Sequence, residues 1–284
     1  MRRPRLLIGA AIAAALTAAT ATATAVTATT GAAPARTVPA VALLAAAAPV
    51  RYVALGDSYS SGTAAGDYGS TAAGCERSAN AYPEQWADHH APASFVSAAC
   101  SGATTADVLS GQLMALNAGT TLVSITIGGN DAGFSDVMET CVLKWDSACL
   151  DAVSSAEAFV AGTLPGRLDA TLRAVRARAP SARVLVAGYP DLYDLSQSAS
   201  CIGLSTTKRT ALDQGADDLD QALSAAAARN GDIFVDVRGQ FSGHEICDSA
   251  SWLYSVTFPI GDSYHPTAAG QELGYLPAIT TAAG

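Results

Sequence analysis

The sequence predicts an α/β protein: a single-domain, three-layer α/β/α sandwich on a central parallel sheet. Short apolar runs with strand character alternate with stretches of helical spacing, and strands separated by helices imply a parallel sheet covered on both faces. About 235 residues follow an Ala/Thr-rich leader, which suits one such domain with a sizeable core. Several of the apolar runs stop abruptly at glycine-containing loops, as strands that feed a functional rim do.

Residues 1–48 are read as signal peptide and leader, and residues 49–284 as the domain. Arg2, Arg3 and Arg5 precede an apolar run over 6–16, and small residues suited to cleavage follow. The run is shorter than the roughly 20 apolar residues a membrane span needs. The preferred cleavage leaves a chain beginning near Pro49.

Residues 51–55 are the first strand, stopped by Gly56-Asp57. Helical spacing follows over 78–90, with Trp86 on the inner face, and a second strand over 94–98. Thr104 is placed as the N-cap of the next helix. Residues 121–127 (T-L-V-S-I-T-I) make the clearest strand, β-branched and ended by Gly128-Gly129. Residues 151–179 form one long helical stretch that Pro165 bends or divides. Residues 183–187 are a fourth strand, followed by an irregular loop through Gly203. A helix over 206–229, a strand over 233–237 and a C-terminal helix opened by Pro266 complete the chain. Ligands on such sheets bind beyond the carboxyl ends of the strands. That rule puts Ser58, Gly102, Asn130 and Tyr189-Pro190 on one rim.

The leader holds four arginines and no acid, so the remaining chain carries 12 basic against 25 acidic residues, a formal charge of −13. Such a surface repels nucleic acid and anionic membranes. Six cysteines in an exported chain point to disulfides, and no C-x-x-C suggests a metal site. Cys141 and Cys149 flank a short loop and are the nearest local pair. Cys75–Cys100 and Cys201–Cys247 complete a sequential set.

Ester cleavage needs a nucleophile, a base to take its proton, and donors for the developing oxyanion. Ser58, in Gly56-Asp57-Ser58-Tyr59-Ser60, sits in the turn after the first strand, where helix-start N–H groups aim at the same spot. Of the four histidines, His89 and His90 are adjacent at a helix end, and His244 lies near Cys247. His265 stands in Gly261-Asp262-Ser263-Tyr264-His265-Pro266, where a loop presents it before a helix-opening proline, and is the candidate base.

These residues together resemble the SGNH, or GDSL, hydrolase superfamily. Y-V-A-L-G-D-S-Y-S-S-G at 52–62, C-S-G-A-T-T at 100–105, T-I-G-G-N-D at 126–131 and D-S-Y-H-P at 262–266 are similar to four of its blocks, in order. The stretch from Cys75 to Pro83 resembles secreted actinomycete lipases, esterases and phospholipases A1. The resemblance implies a flavodoxin-like sheet, Ser58 as nucleophile and His265 as base. It also implies an oxyanion hole from the Ser58 and Gly102 N–H groups and the Asn130 amide, and three sequential disulfides. The group that orients His265 is either Asp262, the preferred candidate, or a main-chain carbonyl, that of Ser263.

The expected activity is a secreted serine esterase or lipase acting on acylglycerols or related lipids. Phospholipase A1 and carbohydrate acetylesterase activity are the alternatives on the same fold. No cofactor and no metal are implied, and a monomer is expected. The α/β-hydrolase fold would want G-x-S-x-G in mid-chain; a zinc hydrolase would want H-E-x-x-H. Neither pattern occurs. A binding module without turnover would be expected to lack Ser58, Asn130 or His265, and all three are present. No lid helix is legible, so activity on soluble esters without an interface requirement is expected.

Overall fold

Five strands form the centre of the computed structural model, which describes residues 49–69, 74–197 and 201–284. The predicted leader lies outside the described residues. In chain order the strands are β1 (Arg51–Gly56), β2 (Ser94–Ser97), β3 (Leu122–Thr126), β4 (Arg183–Ala187) and β5 (Ile233–Val235). All pair in parallel, in the spatial order β2-β1-β3-β4-β5.

Around them lie α1 (Ser58–Ser61), α2 (Tyr82–His90), α3 (Thr105–Ser110), α4 (Phe134–Leu143), α5 (Asp146–Gly162), α6 (Leu164–Arg178), α7 (Thr206–Asn230) and α8 (Arg238–Phe241). A π-helical stretch, Gly270–Tyr275, runs into α9 (Leu276–Ala283). One outer layer contains α3, α6 and α7, with α5 packed on α6 and α7; the other contains α2, α8 and α9. Every residue of β3 is buried, as expected of a central parallel strand covered on both sides. Leu164, Leu168, Leu172 and Val175 make a fully buried stripe along α6, the helical period that seats a helix on a sheet. Burial of each such leucine is worth about 1.5–3 kcal/mol.

The helix expected over 151–179 is two helices. Pro165 stands in the first turn of α6, where its missing N–H leaves the hydrogen-bond ladder from α5 without a donor. Helix α4 has no counterpart among the expected elements, and β5 ends two residues before 237. Thr104 caps α3 through a reciprocal box with Asp107. All three sequential disulfides are present: Cys75–Cys100, Cys141–Cys149 and Cys201–Cys247.

The strand order reverses between β1 and β3. From there the chain crosses to β2 on one side and to β4 on the other, which opens a crevice beyond their carboxyl ends. Ser58 directly follows β1, and Asn130 closely follows β3.

Candidate active site

The turn after β1 is shaped by what a side chain would hit. Gly56 has φ +122°, and a Cβ there would collide with the Thr126 carbonyl of β3, so only glycine fits. Asp57 then caps α1, accepting from Tyr59 N at 3.1 Å. Its buried carboxylate also accepts from Thr126 Oγ1 at 2.7 Å and from the Tyr189 hydroxyl. Burial outweighs these donors and pushes the carboxyl up to about 6. The network holds Ser58 at the first position of the helix, almost buried, with its side chain at the crevice floor.

Ser58 and His265 are 207 residues apart in sequence, yet Ser58 Oγ and His265 Nε2 lie 2.8 Å apart. The other ring nitrogen, Nδ1, is 3.0 Å from the Ser263 carbonyl. A carbonyl only accepts, so Nδ1 carries the proton and Nε2 presents its lone pair to the serine. Here the preference for Asp262 is corrected: the imidazole's partner is the main-chain carbonyl. Tyr264, between them, adopts φ +64°, and the turn brings the Ser263 carbonyl onto the ring. Tyr59 steadies the segment from the other side, donating to the Tyr264 carbonyl at 2.7 Å. Burial beside Tyr59 and Phe134 draws the imidazole down to about 4, against the pull of the Ser263 carbonyl. Asp262→Asn is therefore expected to keep kcat on a soluble ester within about threefold of wild type. A loss of about a hundredfold or more would return the orienting role to the carboxylate.

Gly102 has φ +78°, and a Cβ built on it would meet only open space. Among the described residues, neither the Ser58 nor the Gly102 backbone N–H donates a hydrogen bond. Asn130 donates through Nδ2 to the Ala103 carbonyl at 3.0 Å, which ties its amide to the Gly102 loop and leaves a second N–H on the same nitrogen. Asp131 accepts from Thr105 N at 2.8 Å and from Arg167 at 3.1 Å, so it fastens α3 and α6 behind the loop.

Two of the remaining histidines are engaged elsewhere. His90 stacks on Trp86, and His244 stacks on Trp252 with Nδ1 2.8 Å from the Ala250 carbonyl. Cys201–Cys247 joins the loop after β4 to the segment leading toward His265. Among the described residues, no group of three or more His, Cys, Asp or Glu is placed to hold a metal. No helix among them is long and apolar enough to cross a membrane.

Sequence reasoning missed the space beside the serine. An apolar pocket, open to solvent, runs from Ser58 and Asn130 between α4, α5 and α7. Phe134, Val137, Val153, Val160, Leu212 and Leu219 line it. It also missed the Tyr189 hydroxyl on Asp57, although Tyr189 was already on the expected rim.

The chain matches the model of the GDSL-like lipase/acylhydrolase family over residues 54–273. It is 55% identical over 233 residues to Lipase 1 of Streptomyces coelicolor, covering 82% of this chain and 86% of that one. It is 50% identical to a lipase of Streptomyces rimosus over 252 residues, covering 86% and 94%. Among solved structures, a phospholipase A1 from Streptomyces albidoflavus superposes with a TM-score of 0.80 at 53% identity, covering 82% of this chain and 99% of that one. The extracellular lipase from Streptomyces rimosus gives 0.80 at 51% identity with the same coverage. A five-stranded parallel sheet with this site at its switch point, and relatives this similar along almost their whole length, make the chain a member of the GDSL-like lipase/acylhydrolase family and a carboxylic ester hydrolase.

Proposed function

We propose that this ester hydrolase cleaves acyl esters of lipids through an acyl-enzyme on Ser58, with His265 as general base. The observation that carries the reading is the 2.8 Å contact between Ser58 Oγ and His265 Nε2 at the mouth of an apolar pocket. Ser58 Oγ attacks the ester carbonyl while Nε2 takes its proton. The oxyanion is met by the Ser58 and Gly102 N–H groups and the free N–H of Asn130. His265 returns the proton to the leaving alcohol, and the same groups activate and receive water in deacylation.

The apolar lining, which runs from Ser58 past Val153 to Leu212, favours a fatty acyl chain over an acetyl group. The lipase and phospholipase A1 relatives support lipid esters as the substrate class. The three disulfides support export, as do the basic start and apolar run of the sequence. We place the enzyme outside the cell as a monomer, with no cofactor and no nucleic-acid partner.

The test is a p-nitrophenyl ester series from acetate to palmitate together with stoichiometric labelling of Ser58 by an alkyl phosphonate. Labelling at another residue, or no hydrolysis at any length, would sink the reading. Within this series Gly215 of α7 sets the width of the pocket. A Cβ there would lie 3.7 Å from Val153 Cγ1, an ordinary contact, so packing does not require the glycine, and a helix interior pays for one with about 1 kcal/mol against alanine. Gly215→Leu is expected to lower palmitate relative to acetate hydrolysis by about tenfold or more. An equal loss on both esters would mean that the acyl chain lies elsewhere.

A further inference from the structure

We propose that the loop leading to His265 docks the enzyme onto an electrically neutral lipid–water surface, such as a phosphatidylcholine bilayer. Val256, Phe258 and Ile260 fall within five residues and are 46%, 88% and 63% exposed. Single exposed apolar side chains occur on most proteins and need no account, but a cluster on one loop marks a surface for an apolar partner. Tyr254, on the same loop, is 37% exposed, whereas two other exposed apolar residues are placed differently. Leu143 and Trp145 lie at the far end of α4, about 14 Å of helix beyond Phe134.

The loop is tied to the reacting groups by short rungs. Tyr254 N donates to the His265 carbonyl at 3.0 Å, and Tyr264 N to the Tyr254 carbonyl at 2.9 Å. Thr257 N donates to Ser263 Oγ at 3.0 Å, on the residue whose carbonyl holds the imidazole. A surface that receives Phe258 is thereby brought to the edge of the Ser58–His265 crevice.

Charge selects the surface. Residues 249–261 contain no charged side chain, whereas residues 49–284 carry a formal −13. An anionic bilayer would repel the body of the protein, while a zwitterionic one admits an uncharged apolar loop without that cost. The serine–histidine contact is already formed, so docking supplies substrate without switching on the chemistry. The proposal rests on the lipid-ester reading above, and the assay separates the two.

The experiment compares wild type with the Val256→Ser/Phe258→Ser/Ile260→Ser variant in three measurements. Co-sedimentation with phosphatidylcholine vesicles is expected to weaken by about tenfold or more in the variant. Release of fatty acid from those vesicles should fall in step. Hydrolysis of dissolved p-nitrophenyl butyrate should stay within about twofold, because none of the three side chains touches the reacting groups. Wild-type binding should also weaken as phosphatidylglycerol is added to the vesicles. Unchanged vesicle binding in the variant, or stronger wild-type binding to the anionic vesicles, would overturn the proposal. A parallel loss on the soluble ester would assign the loop to support of His265 instead. A wild-type dimer that the triple variant dissociates would give the patch to a second copy of the chain. Absence of soluble-ester hydrolysis in wild type would count against the catalytic reading, whatever the vesicles show.

Discussion

His265→Ala is expected to lower kcat on a soluble ester by about 10⁴–10⁶-fold, and Ser58→Ala to do the same. In the proposed mechanism the two act as one unit: the serine is a poor nucleophile until Nε2, at 2.8 Å, removes its proton. The double variant should therefore be no slower than either single one, and substrate KM should change little. Steady-state kinetics of the three variants, with circular dichroism to establish folding, make the measurement. A single variant that keeps a tenth of the activity would mean that another residue performs its step. The same base sets the acid limb of the wild-type profile. Only neutral imidazole accepts a proton, and burial draws His265 down from 6.5 to about 4. kcat/KM is expected to hold as pH falls through 6 and to be halved near pH 4. A limb at 6.5 would show that the ring is solvated in the free enzyme.

Asn130→Ala is expected to lower kcat by about 10²–10³-fold, or about 2.7–4 kcal/mol of transition-state stabilisation. One N–H of its amide is spent on the Ala103 carbonyl at 3.0 Å, and the other is free to meet the oxyanion. The variant loses both the donor and the tether to the Gly102 loop. A ground-state carbonyl bears little charge, so the loss belongs in kcat, with KM nearly constant. Ser58 should still react with a phosphonate, at a reduced rate, because the serine and its base are untouched. A kcat within threefold of wild type would remove Asn130 from the site.

The first strand, the β-branched run of β3 and the boundaries of β4 were all legible, because each is a short apolar segment closed by a breaker that local chemistry alone explains. Helix α4 was not. Phe134–Leu143 mixes Ser, Thr and two valines with weak helical preference, and its helical state comes from packing against α5 and the Cys141–Cys149 bond. The break between α5 and α6 was legible at Pro165, while the start of α5 at Asp146 was not.

For the site, the residue types and their order along the chain were contained in the sequence by itself. A serine after the first strand, a glycine and an asparagine after two others, and a histidine before a late proline already specify acyl transfer. Tertiary structure decided what depends on distance and direction. Asp262 and Ser263 are both within three residues of His265, so spacing cannot separate them. The positive φ of Tyr264 does, by turning the Ser263 carbonyl onto Nδ1. The apolar pocket is likewise invisible along the chain: its walls come from α4, α5 and α7, and its width depends on how closely those helices pack. Local sequence sets which groups are available; the packing of distant segments sets which of them meet.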